Sequence, residues 1–241
     1  MWAILKKELK ISFTSLRIYV VFACFLILSG FFFYTSLKFF SVILETDAMK
    51  GLWEDYFDLL RLVLILLLPL LTMGIFAEEK KLGTLELLWT YPLKDWQILL
   101  GKFFGCLIAF ACLVALNLLY PVALGFYYPF SWKPLLVCYL GFYLLGTFFI
   151  SCGIFISFLT ESQIVAAVAS FSLFIFFWFL TWNEAAYSPG VLNFLLHISV
   201  FDRFKPFTQG IIVVRDMIFF LMATCMFLFL TLKFMSIRKW R

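Results

Sequence analysis

Hydrophobic positions in this chain fall in long blocks separated by short polar stretches. Six blocks, residues 18–37, 59–77, 103–126, 135–158, 164–182 and 217–235, are long enough for a helix to cross a hydrocarbon core of roughly 30 Å. The pattern predicts an all-α integral membrane protein, a single domain over residues 1–241 with six transmembrane helices. Residues 1–17 read as an interfacial amphipathic helix, because Trp2, Leu5, Leu9, Phe13 and Leu16 make one stripe. Lys6, Lys10 and Arg17 flank that stripe, while Lys7 and Glu8 lie away from it. The following apolar run is too long for the core of a signal peptide, and no small-residue cleavage site follows it.

Between the second and third blocks, Leu82, Leu85 and Trp89 recur at helical spacing behind Glu78, Glu79, Lys80 and Lys81, and Pro92 ends the stretch. A one-sided helix over residues 78–89 is expected, acidic at its start as the helix dipole favours. A bare connector has no use for such a stripe, so it reads as a docking helix. Residues 183–216 alternate polar turns with apolar runs too short to cross, which predicts re-entrant or interfacial helices between spans five and six.

Composition then excludes a soluble domain. Hydrophobic residues make up 65% of the chain and charged ones 14%, against about 25% charged in ordinary globular proteins. The net charge of +5 does not point to nucleic acid, because the basic residues cluster at the ends of apolar runs. Six spans put both termini on one side. Assigning that side to the cytoplasm gives it twelve of the nineteen basic residues, and leaves eight of the fourteen acids outside.

Polar residues within the spans are few. Residues 38–58 read as an acidic outer loop, with Glu45, Asp47, Glu54, Asp55 and Asp58 against Lys38 and Lys50, and Arg61 just inside the second span can snorkel outward to meet Asp58. Asn117 offers either an interhelical hydrogen bond or a substrate contact. Gly101, Gly105 and Ala109 recur every four residues, the spacing that lets helices approach closely. The six cysteines lie in apolar runs without any C-x-x-C pair, and His197 is the only histidine, so no metal site is expected. A nucleotide-binding loop G-x-x-x-x-G-K-[ST] is absent, since the one glycine-lysine pair, Gly101-Lys102, is followed by Phe103 and lacks the upstream glycine. No pair of embedded acids or nucleophile elbow supports an intramembrane enzyme.

The order of Pro69, Met73, Phe76-Ala77-Glu78-Glu79-Lys80, Gly83-Thr84-Leu85-Glu86-Leu87-Leu88, Pro92 and Gly101-Lys102 resembles the signature of type-2 ABC transporter permeases. The small single-domain branch, related to gliding-motility and copper-processing permeases, is the nearest likeness. Lys7-Glu8-Leu9-Lys10, Ser15, Leu28-Ser29-Gly30-Phe31-Phe32, Ser157, Thr160, Gln163-Ile164-Val165-Ala166, Phe207, Gly210-Ile211 and Arg215-Asp216 extend the likeness over the whole chain. Two positions depart from the pattern: Leu16 stands where the family usually has proline, and Gly74 where it often has arginine.

The resemblance implies a plasma-membrane (bacterial inner-membrane) permease with both termini cytoplasmic, paired with a second copy or a paralogue and served by two ABC ATPase chains. This chain would bind no cofactor; ATP and magnesium would act through the partner. Glu78, Glu79, Gly83, Thr84, Glu86 and Trp89 become the expected ATPase-coupling residues, with Glu79 and Glu86 pairing with basic residues on the ATPase. Phe207, Gly210, Arg215 and Asp216 become outer-gate candidates. A membrane anchoring or assembly component that binds an ATPase without moving a solute shares the same loop and remains the alternative.

Overall fold

A computed structural model describes residues 2–42, 48–84, 94–128, 130–182 and 199–239. Among these the secondary structure is entirely helical: α1 (Trp2–Thr14), α2 (Leu16–Val42), α3 (Ala48–Thr72), α4 (Gly74–Lys81), α5 (Asp95–Asn117), α6 (Leu119–Gly125), α7 (Trp132–Leu159), α8 (Gln163–Trp182), α9 (Val200–Thr208) and α10 (Val214–Lys239). Six stretches are long and apolar enough to cross a membrane. His197 and the rest of the segment after α8, up to residue 198, lie outside the described residues, as do residues 85–93.

The bundle is built around α7, whose apolar window is 72% buried, against 17% for α8 and for α10. Glycines make that centrality possible. At Gly141, Gly146 and Gly153 a Cβ would collide with Phe207 of α9, Phe110 of α5 and Thr72 of α3, so three neighbours reach into notches along one helix. Aromatic rings fill the remaining space: Phe149 stacks on Phe174 at 4.3 Å, and Phe57 meets Tyr139 edge-on at 5.0 Å. Asn117 joins three helices. Its Oδ1 accepts from Tyr139 at 2.7 Å and Tyr56 at 3.1 Å, with all three groups buried, which gives the residue the interhelical role rather than a place on an open path.

Four sequence expectations change. The acidic stretch before the second span is not a loop, because α3 starts at Ala48 and not near residue 59. Trp53, Tyr56 and Phe57 on its inner face are buried, and Phe33 of α2 meets Tyr56 at 5.3 Å. That packing carries the helix through Glu54, Asp55 and Asp58. The third span breaks at Leu118, whose N–H is shared between the carbonyls of Val114 and Ala115 at 3.3 Å each; Pro121 has no N–H to return to Asn117. Gly105 receives no second membrane span: it lies under Glu8 of α1, which runs along α5. Glu8 therefore belongs to the packed face of the first helix, whereas Leu16, placed in its apolar stripe, is 80% exposed.

The fourth correction concerns the docking helix. Glu78 and Glu79 sit in α4, which continues the second span after a break at Met73. Its C-cap is Leu82, where N–H bonds run from Leu82 to Glu78 and from Gly83 to Lys80, and Gly83 has φ +68°. A glycine in the left-handed conformation closes a helix and does not continue one. Residues 78–89 are thus not one helix.

Candidate coupling site

α3 and α4 meet at Met73, whose N–H still donates to the Pro69 carbonyl at 2.9 Å. The first donors of α4 need acceptors, and Ser157 of α7 supplies one: its hydroxyl accepts from Phe76 (3.1 Å) and Ala77 (3.2 Å) and donates to the Met73 carbonyl at 2.9 Å. This fixes the direction in which α4 leaves the bundle.

Around α4 the charged side chains turn inward. Lys102 of α5 is 2% exposed, and its ammonium lies 2.9 Å from Glu8, 2.9 Å from Glu79 and 3.0 Å from the Ile75 carbonyl. It donates hydrogen bonds to Glu8 and to the Ile75 carbonyl, and pairs with Glu79 by charge. Lys7 stands 4.0 Å from Glu79 on the outer side. Arg17, at the start of α2, grips Glu78 with both terminal nitrogens at 2.8 and 3.0 Å and reaches Gln163 of α8 at 3.1 Å. A Cβ on Gly74 would meet the Arg17 guanidinium at 3.1 Å and Glu78 at 3.2 Å. The space where the family often carries arginine is filled by the guanidinium of Arg17, brought from another helix.

Two further contacts complete the cluster: Lys80 donates to the Phe158 carbonyl, and Thr84 donates to the Glu79 carbonyl at 3.2 Å. A cleft of about 360 Å³ lies beneath, charged at its mouth and apolar between Val21, Leu70 and Ala109. The arrangement fastens five helices, α1, α2, α5, α7 and α8, to the one that enters residues 82–93. α5, which leaves that segment, starts from Lys94, whose N–H bonds the Gln97 side chain at 3.3 Å.

The sequence-predicted coupling residues therefore divide. Glu78 and Glu79 pair with internal cations, Gly83 ends α4, and Thr84 bonds back to it. Glu86 and Trp89 lie outside the described residues. Lys102, Glu8 and Arg17 carry the geometry without having been singled out as coupling residues; the available signal was a lysine at the head of an apolar span, where an unpaired charge is costly.

At the opposite end, Phe207 is fully buried over Gly141, and Gly210, at φ +76°, lets the chain pass Pro134, whose Cβ would be 2.7 Å from an added Cβ. Asp216 is 3% exposed and pairs with Arg203 of α9 at 2.9 Å, while Arg215 is 77% exposed and only 3.5 Å from the same carboxylate through Nε. Arg203 is thus the closer and more buried partner of Asp216, a contact that spacing did not reveal. Among the span-packing candidates, Gly101, Gly105, Ala109 and Asn117 are all buried on α5.

Six membrane-length helices and a charged cluster flanking the loop between spans two and three define a polytopic membrane protein. The sequence matches the ABC-2 family transporter protein over residues 2–238, and the chain belongs to that family. It is a multi-pass membrane permease of ABC type, a class without a nucleotide-binding domain of its own. A comparison with curated proteins gave no match.

Proposed function

We propose that this chain is the subunit through which a separate ABC ATPase drives a substrate outward across the bacterial inner membrane, as one half of a permease pair with two ATPase chains. The family match over nearly the whole length supports the reading most directly. The cluster on Lys102 adds a physical route. α4 and α5 flank residues 82–93, and Lys102 ties both to α1, so a push on that loop reaches three helices through buried, directional contacts. The basic residues gathered at this end favour its assignment to the cytoplasm, with both termini there. ATP and magnesium act in the partner.

In this reading Glu86 and Trp89 contact the ATPase, while Glu78, Glu79, Gly83 and Thr84 set the position of the loop. Phe207, Gly210, Arg215 and Asp216 belong to the outer closure. The test is copurification of the ATPase from detergent at equal permease expression and two salt concentrations. Glu86→Lys and Trp89→Ala should each reduce recovered ATPase, the former more strongly at low salt. Glu79→Gln should leave recovery intact yet lower ATP-dependent activity. Undiminished recovery with both loop variants would remove this segment as the coupling element.

A further inference from the structure

At the end opposite the Lys102 cluster, α2 and α3 separate around a cleft of about 270 Å³ lined by Thr35, Ser36 and Phe39 on one side and Asp55, Asp58 and Leu59 on the other. We infer that this cleft binds a primary organic ammonium, its charge held by Asp58, Asp55 and the Ser36 hydroxyl and its hydrocarbon lying against Phe39 and Leu59.

The first observation is a hydroxyl without a partner. Ser36 is 3% exposed, it lines the cleft, and its Oγ makes no hydrogen bond although fully buried. Buried polar atoms in folded proteins almost always have partners, so an orphan beside a cavity calls for one. The second is Asp58, whose Oδ1 is also buried and also lacks a hydrogen bond. Arg61 is close, with 3.3 Å between Nη1 and Oδ1, but without hydrogen-bonding geometry, and its own Nε is buried and unbonded. The pair neutralises charge without satisfying donor or acceptor. Third, no cation among the described residues stands within ion-pair distance of Asp55, one turn before Asp58.

The remaining lining sets the ligand class. Thr35 donates its proton to the Phe31 carbonyl at 2.9 Å, so towards the cleft its oxygen can only accept. Asp55, with no cation at ion-pair distance among the described residues, Asp58, which shares its charge with Arg61, and an acceptor oxygen call for a donor with several protons and a positive charge, which an ammonium supplies. A metal ion is a poorer match. Two carboxylates offer few ligands for a hard cation, and no group of three or more His, Cys, Asp or Glu side chains suited to a metal occurs among the described residues. The aromatic wall of Phe39 adds attraction for a cation at its face. The volume lies just under the roughly 300–1,000 Å³ of drug-sized pockets, which limits the occupant to a small amine or a lipid headgroup. Phe39, which lines the cleft, is more than half exposed, so the cleft lies beside an apolar surface from which either source can enter.

The proposal holds whether or not the chain moves a solute. Its test uses the full chain in detergent micelles and 4-fluorophenethylammonium as probe, followed by ¹⁹F line broadening. Saturable binding is expected, weakened about tenfold or more by Asp58→Asn and several-fold by Ser36→Ala. Glu161→Gln at the other end should leave it unchanged. The neutral probe 4-fluorophenethyl alcohol should show no saturable binding. The proposal is overturned if the alcohol binds as well as the amine, or if Asp58→Asn retains wild-type affinity with an unaltered melting temperature. If Asp58→Asn fails to fold, Ser36→Ala with the pair of probes decides alone. To distinguish sources, native mass spectrometry compares retained phosphatidylethanolamine with phosphatidylcholine. Preference for the former, lost in Asp58→Asn and displaced by the free amine, assigns the cleft to a headgroup. Equal retention, with probe binding intact, assigns it to a soluble amine.

Discussion

Replacing Lys102 with methionine removes the one cation among the described residues that touches both Glu8 and Glu79. The substitution keeps most of the side-chain volume, so its effect is electrostatic. Glu8 and Glu79 are 16% and 15% exposed at the side chain, and each places Oε1 at 2.9 Å from the lysine ammonium. Without it, two carboxylates face each other across a poorly hydrated gap, and the Ile75 carbonyl loses its donor. Removing one partner of a buried ion pair costs about 3–5 kcal/mol. Lys7, at 4.0 Å from Glu79 and 54% exposed, offsets little of this. For a chain of this size 1 kcal/mol corresponds to about 2–4 °C in Tm, so Lys102→Met should lower it by about 6–20 °C. Adding Glu8→Gln and Glu79→Gln removes the stranded charges and should restore most of the loss. The assay is thermal unfolding in detergent, followed by circular dichroism, with hydrogen exchange of α1 as the local readout. In the single variant α1 should exchange faster than α5, because Glu8 is the α1 side chain that pairs with Lys102. A single variant within about 1 kcal/mol of wild type, or a triple variant no better than the single one, would refute the charge argument.

Two further predictions concern the opposite end and the orientation. Arg203→Ala should destabilise by about 2–5 kcal/mol, because it strands buried Asp216, whereas Arg215→Ala, at an exposed side chain, should leave the melting temperature near wild type; equal effects would overturn the assignment of Arg203 as the main partner. Cysteines at Lys94 and Tyr127, in a background with the native six replaced, should react with an impermeant thiol reagent from opposite sides of the membrane, and labelling from one side would exclude the six-span arrangement.

The membrane class, the number of spans and the family were legible without coordinates because each rests on local quantities: run length against bilayer thickness, the placement of basic residues, and the order of short motifs. Helix boundaries were less legible where packing overrode composition. Glu54, Asp55 and Asp58 read as an acidic loop, yet Trp53, Tyr56 and Phe57 between them are buried and carry α3 through. The charge partners were not legible at all. Sequence places Glu78 and Glu79 beside Lys80 and Lys81, and nothing in that neighbourhood says that Glu78 belongs to Arg17 and Glu79 to Lys102. Helix packing decides that, because the cost of burying a charge falls only when an opposite charge arrives from another part of the chain. Likewise the positive φ of Gly83, which ends α4 where a continuous apolar stripe suggested a longer helix, is a property of the folded backbone. What the sequence determined is that the chain carries six runs long enough to cross a membrane and what family it belongs to; tertiary structure alone decided which charges meet, since pairing depends on distance in space and hydrophobic pattern is written in distance along the chain.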